Sequence, residues 1–317
     1  DPFVGLADRV LATSELTQRA FADGRMLVSY QYRNGLVLAL SLLGSGLALV
    51  AAARRHAAWP ALAGAVLVAD LFAVGYGFSP RANPSLLEQV PPAVKFLQED
   101  TEPWRLTTFI APGEKPLNAN GAMLYGLEDI RGYDSIIPRQ YVEYMGLVET
   151  QDELLYNRIA PLSEVESLDS PLLDLLNVRY VLSSQPIERP GYELVYQGEV
   201  LIYRNLDHLP RAFALNRARR VPSEALHQAL AQADPRTEVL LEGAEEELGA
   251  PEGHLLPVTI LERSETEVLV RASLDQPAWV VLTDAYFAGW RAYIRPFGSA
   301  EPKVQRPIER AYGAFRA

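Results

Sequence analysis

The stretch EDIRGYDSIIPRQY, residues 128–141, gathers Glu128, Asp129, Arg131, Tyr133, Asp134, Arg139 and Tyr141 in one Gly- and Pro-bearing loop. Carboxylates, guanidinium forks and phenols at this density can hydrogen-bond sugar hydroxyls, and arginine grips phosphate bidentately. The same side chains can equally pair with one another and simply close a loop. A second candidate is DAYFAGWRAY, residues 284–293, where Tyr286, Trp290 and Tyr293 offer flat faces for sugar rings, or else fill a core behind a Gly turn. The third is Asp70, the one charge between Ala57 and Phe78. Eight residues before Phe78, it would lie about 12 Å below a bilayer surface at the helical rise. A carboxylate that deep costs about 2.5–3.5 kcal/mol unless it is paired or wet. The preceding apolar stretch offers no partner, so the expected partner lies on a helix outside this chain. Structural pairing, and orienting a cation or sugar hydroxyl near a lipid-phosphate cavity, both stay open as roles.

Other chemistries are excluded or left without residues. With no cysteine, disulfides, thiolate metal sites and cysteine nucleophiles are impossible. His56, His208, His227 and His254 are scattered without ligand spacing, so no metal site and no cofactor is expected. No Walker A, GxGxxG or GxSxG pattern occurs. Residues 1–78 hold six Arg and five acids, leaving 23 basic and 35 acidic residues, a net charge of −12, for the rest. So acidic a surface disfavours nucleic acid and anionic headgroups as partners.

The elements that must carry these residues differ sharply along the chain. Gly35–Ala53 is 19 residues without a charge; as a helix it spans about 28 Å, near the ~30 Å of a bilayer core. Arg54, Arg55 and His56 interrupt, and Ala57–Phe78 follows with Pro60 in a tolerated first turn. Two antiparallel spans joined by a tight basic loop are expected, with the lipid bilayer as a partner. Gly44, Ala48 and Ala52 on one helix and Ala61, Ala65 and Ala69 on the other let the backbones approach. The positive-inside rule puts Arg54 and Arg55 in the cytoplasm and both flanks outside. Residues 1–34 read as external or interfacial helices anchored by Tyr30, Tyr32 and Arg33.

Beyond the hairpin, residues 79–234 read as an extracytoplasmic α+β module. Its expected helices are Pro92–Gln98, Tyr141–Leu155, Pro171–Leu176 and 222–233 with Ser223 as N-cap; its strands are 104–110, 177–184, 192–198 and 200–205, the last two a hairpin. From 235 to 317 only short alternating strands follow, as in a jelly-roll-like β-sandwich. The segment RPIERAYGAFRA stops without turn or cap, which reads as a sandwich incomplete at its C-terminus with an unpaired edge there. The start at Asp1 without a signal suggests a fragment of a larger polytopic protein.

The segments VVLTDAYFAGWRAYI (280–294), AYGAFRA (from Ala311), NANGAMLYGLEDIRGYDSIIPRQYVEYM (118–145), LLDLLNVRYVLS (172–183) and VLVADLF (66–72) resemble the YfhO-like bacterial membrane proteins in order and spacing. The resemblance covers the chain from about Gly35. It implies a multi-pass bacterial membrane protein similar to GT-C glycosyltransferases, which take a sugar from a polyprenyl-phosphate carrier and deliver it to an envelope glycan outside the cell. The catalytic carboxylate of such enzymes lies in an early external loop that this sequence does not include, so no catalytic residue carries over. A membrane-tethered carbohydrate-binding or structural envelope module without catalysis is the alternative. As the working surface, the loop 128–141 is the candidate, expected to face the bilayer.

Overall fold

In the computed structural model, which describes residues 2–13, 15–76, 83–111, 113–152 and 155–317, the chain divides into two compact units, residues 1–86 and 87–317. The first is helical: α1 (Pro2–Leu11), α2 (Glu15–Ala20), α3 (Gly24–Ala53) and α4 (Trp59–Gly75). The Asp23 side chain accepts from the Met26 backbone N–H at 2.8 Å and caps α3. The backbone N–H of Gly24 donates to Asp8 of α1 at 2.8 Å. The apolar helix therefore starts at Gly24 and not at Gly35, and the expected interfacial anchors Tyr30, Tyr32 and Arg33 lie within it.

Helix α3 is long and apolar enough to cross a membrane, and its Leu36, Leu38, Leu42, Leu47 and Leu49 are exposed rather than packed on protein. Helix α4 has 17 residues and is shorter than the expected second span; the expected end at Phe78 lies outside the described residues. The two helices run antiparallel. Ser41 meets Asp70, and Gly44 faces Val66, where a Cβ on the glycine would come within 2.7 Å of a Val66 methyl. Close approach is thus realised at Gly44 against a branched side chain.

In the second unit, α5 (Pro92–Gln98), α6 (Arg139–Val148), α7 (Pro171–Leu175) and α8 (Leu226–Gln232) accompany three sheets. Helix α6 is shorter than the expected 141–155, parts of which lie outside the described residues. It ends where Glu149 turns extended and its carboxylate accepts from Ser163 N and Oγ, at 3.0 and 2.7 Å, and from Glu164 N at 3.2 Å. Ser223 opens a 3₁₀ turn, not α8, and makes no side-chain cap.

Strands β1 (Arg105–Phe109), β2 (Val178–Ser183), β3 (Tyr192–Gln197) and β4 (Leu201–Asn205) form a sheet in the order β1-β2-β4-β3, with β1 parallel to β2 and the expected β3–β4 hairpin. The remaining strands are β5 (Ala212–Leu215), β6 (Arg217–Val221), β7 (Val239–Glu242), β8 (Glu246–Gly249), β9 (Leu255–Arg263), β10 (Val268–Ala272), β11 (Trp279–Ala285), β12 (Ala292–Ile294), β13 (Val304–Arg306), β14 (Arg310–Ala311) and β15 (Phe315–Arg316). Nine of them make one sheet, β10-β9-β5-β11-β15-β14-β7-β6-β8, and β12 pairs with β13. The region is mostly β and multi-sheet.

Two expectations change. Strands β5 and β6 precede residue 235 yet pair with β9, β11, β7 and β8, so the sheet crosses the boundary drawn at 234/235. Strand β15 lies between β11 and β14 rather than at an edge. Tyr312, Gly313 and Ala314, the first two with φ of 49° and 73°, make the three-residue turn that folds β15 back on β14. One apolar core runs under both the large sheet and part of the small one, from Phe109 and Val181 to Phe213, Tyr312 and Phe315. A second core, with Leu97, Trp104, Leu106 and Ile202, lies between α5 and the other face of the small sheet.

Candidate functional site

Residues Glu128–Arg131 run extended alongside β1: Leu106 N donates to Glu128 O at 2.8 Å, and Ile130 N to Leu106 O at 3.0 Å. Side chains of an extended segment alternate, so Asp129 and Arg131 share one face and Glu128 takes the other.

On the first face the Arg131 guanidinium bonds Asp129 through Nε at 3.0 Å and Nη2 at 2.6 Å, with Nη1 on Thr108 Oγ1 at 2.7 Å and Nη2 on Leu117 O at 3.3 Å. Both side chains are 4% exposed. These two sequence candidates are an internal brace with their polar atoms committed. Tyr141 closes it, its OH donating to Ile130 O at 2.5 Å; burial raises that phenol far above its ordinary range.

On the opposite face Glu128 enters a cluster that no single stretch of sequence contains. Arg105 of β1 donates to Thr283 O at 2.8 Å and Asp284 Oδ1 at 3.3 Å. Arg211, just before β5, takes Asp284 Oδ1 through Nε at 2.8 Å and Glu128 Oε2 through Nη1 at 2.9 Å. Arg263, ending β9, pairs with Glu128 and lies 3.9 Å from Asp284. Arg316 of β15 reaches Asp284 Oδ2 at 2.8 Å. Asp284 of β11 is the hub. Side-chain exposure is 3% for Arg211, 9% for Arg316 and 13% for Arg105 and Asp284, against 33% for Arg263 and 40% for Glu128, so the cluster opens to solvent on the Arg263–Glu128 side.

The electrostatics follow from crowding. Burial and then the charge of Arg211 pull Arg105 down to about 10, against Tyr141, Asp284 and Glu128. Burial also lowers Arg316. For Asp284 burial acts upward, yet the surrounding arginines, Arg211 first, hold it below the ordinary carboxylate value. Glu128 behaves alike: burial pushes up, while the Arg263 hydrogen bond and the Arg211 charge outweigh it and bring it down.

The other sequence candidates lie apart from this cluster or at its rim. Tyr133 is exposed, its backbone held by Asn120, which accepts from Tyr133 N at 3.0 Å. Asp134 is exposed and accepts from Ser135 N at 2.6 Å. Arg139 pairs with Glu143 one helical turn on, at 2.6 Å, on an exposed face of α6. Tyr286 is half-buried, its carbonyl accepting from Gln140 at 3.3 Å. Trp290 is half-buried with the Arg316 guanidinium 4.2 Å above its ring, so one of its two faces is already taken by a cation. Asp70 accepts from Ser41 Oγ at 2.6 Å, correcting the expectation that the first apolar helix offers no partner. The pair borders a cavity of about 190 Å³ lined otherwise by apolar side chains such as Val37, Leu40 and Val66.

Sequence reasoning missed Arg105, Arg211, Arg263, Arg316 and Asp284. A signal existed: Arg105, Asp284 and Arg316 are each the one charge in a strand run, WRLTTFI, VVLTDAYF and AYGAFRA, and a charge inside such a run needs a partner. No protein-family model, curated protein or solved structure matches the chain.

Proposed function

We propose that the chain is part of a multi-pass bacterial membrane protein of the YfhO-like, GT-C-like kind, in which residues 87–317 form an outer accessory module of a cell-envelope glycosyltransferase that uses a polyprenyl-phosphate-linked sugar. The observation that carries the membrane half of this reading is the exposed leucine surface of α3, which water does not tolerate and lipid covers. In this reading α3 and α4 both span, Arg54 and Arg55 face the cytoplasm, and the mostly-β region is a sandwich-like module outside the cell. The sugar-transfer half rests on the sequence resemblance alone. The non-catalytic carbohydrate-binding alternative loses part of its support at Trp290, whose stacking face is partly occupied by Arg316.

This chain has no cysteine, so single cysteines placed in it mark chosen positions for labelling. Arg55→Cys should react with a membrane-impermeant maleimide only after the cells are opened, and Glu224→Cys in intact cells. The reverse pattern refutes the orientation; labelling of both in intact cells refutes a cytoplasmic loop. Loss of transfer from a carrier-linked sugar on removing residues 87–317 from the full protein, with the membrane part still inserted, tests the enzymatic half. Unchanged transfer sinks it.

A further inference from the structure

The cluster around Asp284 holds four guanidiniums, Arg105, Arg211, Arg263 and Arg316, against two carboxylates, Glu128 and Asp284. Arginine keeps its proton at neutral pH, so two positive charges stay uncompensated where three of the four side chains are at most 13% exposed. Uncompensated buried charge is costly, and a fold tolerates it where something else supplies the counter-charge. A second observation points the same way: Arg316, 8% exposed as a whole residue, has a buried Nε with no hydrogen-bond partner. Guanidinium forks match the oxygen spacing of phosphate better than a point cation does.

We propose that this cluster is an oxyanion site that binds a phosphoryl dianion, approached from the Arg263–Glu128 side and held by Arg211, Arg263 and Arg316. Glu128, the most exposed member, bonds both Arg211 and Arg263 and competes with the ligand for them. Arg105 and Asp284 anchor the site to β1 and β11. The inference does not depend on sugar transfer.

The test uses the full chain in neutral detergent, reading its thermal midpoint against inorganic phosphate at fixed ionic strength, with chloride as the control. In a parallel arm without inorganic phosphate, the micelles are doped with phosphatidate, whose headgroup is a phosphomonoester, or with phosphatidylcholine. A saturable rise with inorganic phosphate supports a soluble phosphoryl ligand, and a rise with phosphatidate alone a lipid source; a response to neither overturns the proposal. Arg263→Gln should raise the half-saturating concentration by about tenfold or more, the worth of a charged hydrogen bond. Glu128→Gln should lower it, although it removes an ion pair from the free protein. Arg204→Gln, which breaks the Arg204–Glu193 pair on the small sheet, serves as the control and should leave it unchanged. A merely structural cluster gives no tightening on Glu128→Gln, and superimposed titrations for the parent, Arg263→Gln and Glu128→Gln refute the site.

Discussion

Replacing Arg131 by Met removes the cation of a pair whose two side chains are each 4% exposed, and with it the bonds to Asp129, Thr108 and Leu117. What remains is a carboxylate in the interior, still accepting from the backbone N–H of residue 131 at 2.9 Å. Breaking a buried pair from one side costs about 3–5 kcal/mol, because the surviving charge keeps its desolvation penalty; the backbone bond argues for the lower end, about 3 kcal/mol. In a unit the size of residues 87–317, each kcal/mol moves the midpoint by about 2–4 °C, so a fall of about 6–12 °C is expected. Near-UV circular dichroism of the full chain in detergent at pH 7 reads it. The double variant Asp129→Leu, Arg131→Met buries no charge and should recover at least half of the loss. A fall of less than about 3 °C in the single variant, or a double variant no better than the single, refutes the reasoning, since either result means the pair is solvated. In the cell, Arg131→Ala should therefore lower the amount of folded protein along with any activity, as expected of a brace and not of a sugar-contacting side chain.

Two further outcomes concern pH and the helical unit. Burial lifts Asp174 from 3.8 to about 6, only partly offset by its bonds to Asn205 at 2.7 Å and Arg236 at 3.3 Å. The folded state therefore holds this proton more tightly than the unfolded one, so its stabilising contribution is full below pH about 4 and is lost as pH rises to about 6. The midpoint of the parent minus that of Asp174→Asn should fall through that window and stay level above it; a constant difference would show that Asp174 titrates normally. Gly44→Leu should separate α3 from α4, at a cost of about 1–3 kcal/mol for the forced contact with Val66. The Ser41→Cys, Asp70→Cys pair should cross-link readily with Gly44 present and several-fold less with Leu, and equal cross-linking would show that the helices accommodate the side chain.

Local structure was legible wherever one signal decided it. Pro92 at the first helical position marks the start of α5, and alternation around a Gly-Glu turn gives the β3–β4 hairpin. The start of α3 differs from the expectation because Arg33, with Tyr30 and Tyr32, reads as an interfacial anchor outside the span, although Asp23, three residues before Met26, supplies the cap. Partnership between strands was not legible, since periodicity marks a strand without naming its neighbour. That is why β6 joins β7 in parallel through α8 across an expected boundary, and why the short β15 sits inside the sheet. The arginine cluster was hidden for the same reason: its members come from β1, β9, β11 and β15 and from the loops before β5 and beside β1, and only the folded sheets bring them together.

Adjacent acids in EDIR end in opposite environments, and the two-residue period of an extended chain explains it. Leu106 and Thr108 on one face of β1 point to the second core and the brace, while Arg105 on the other face points to the large sheet. The segment 128–131, bridged to β1 at Leu106 and Asp129, must follow the same division. Asp129 then meets Arg131, two positions on, and Glu128 is sent to Arg211 and Arg263. The brace fixes where the segment lies against β1, and that in turn sets where Glu128 can reach, so Arg131 is a positioning residue for the cluster without touching it. A loop that looks in sequence like one polar surface is, in the fold, a boundary between a closed ion pair and an open one whose excess positive charge attracts anions.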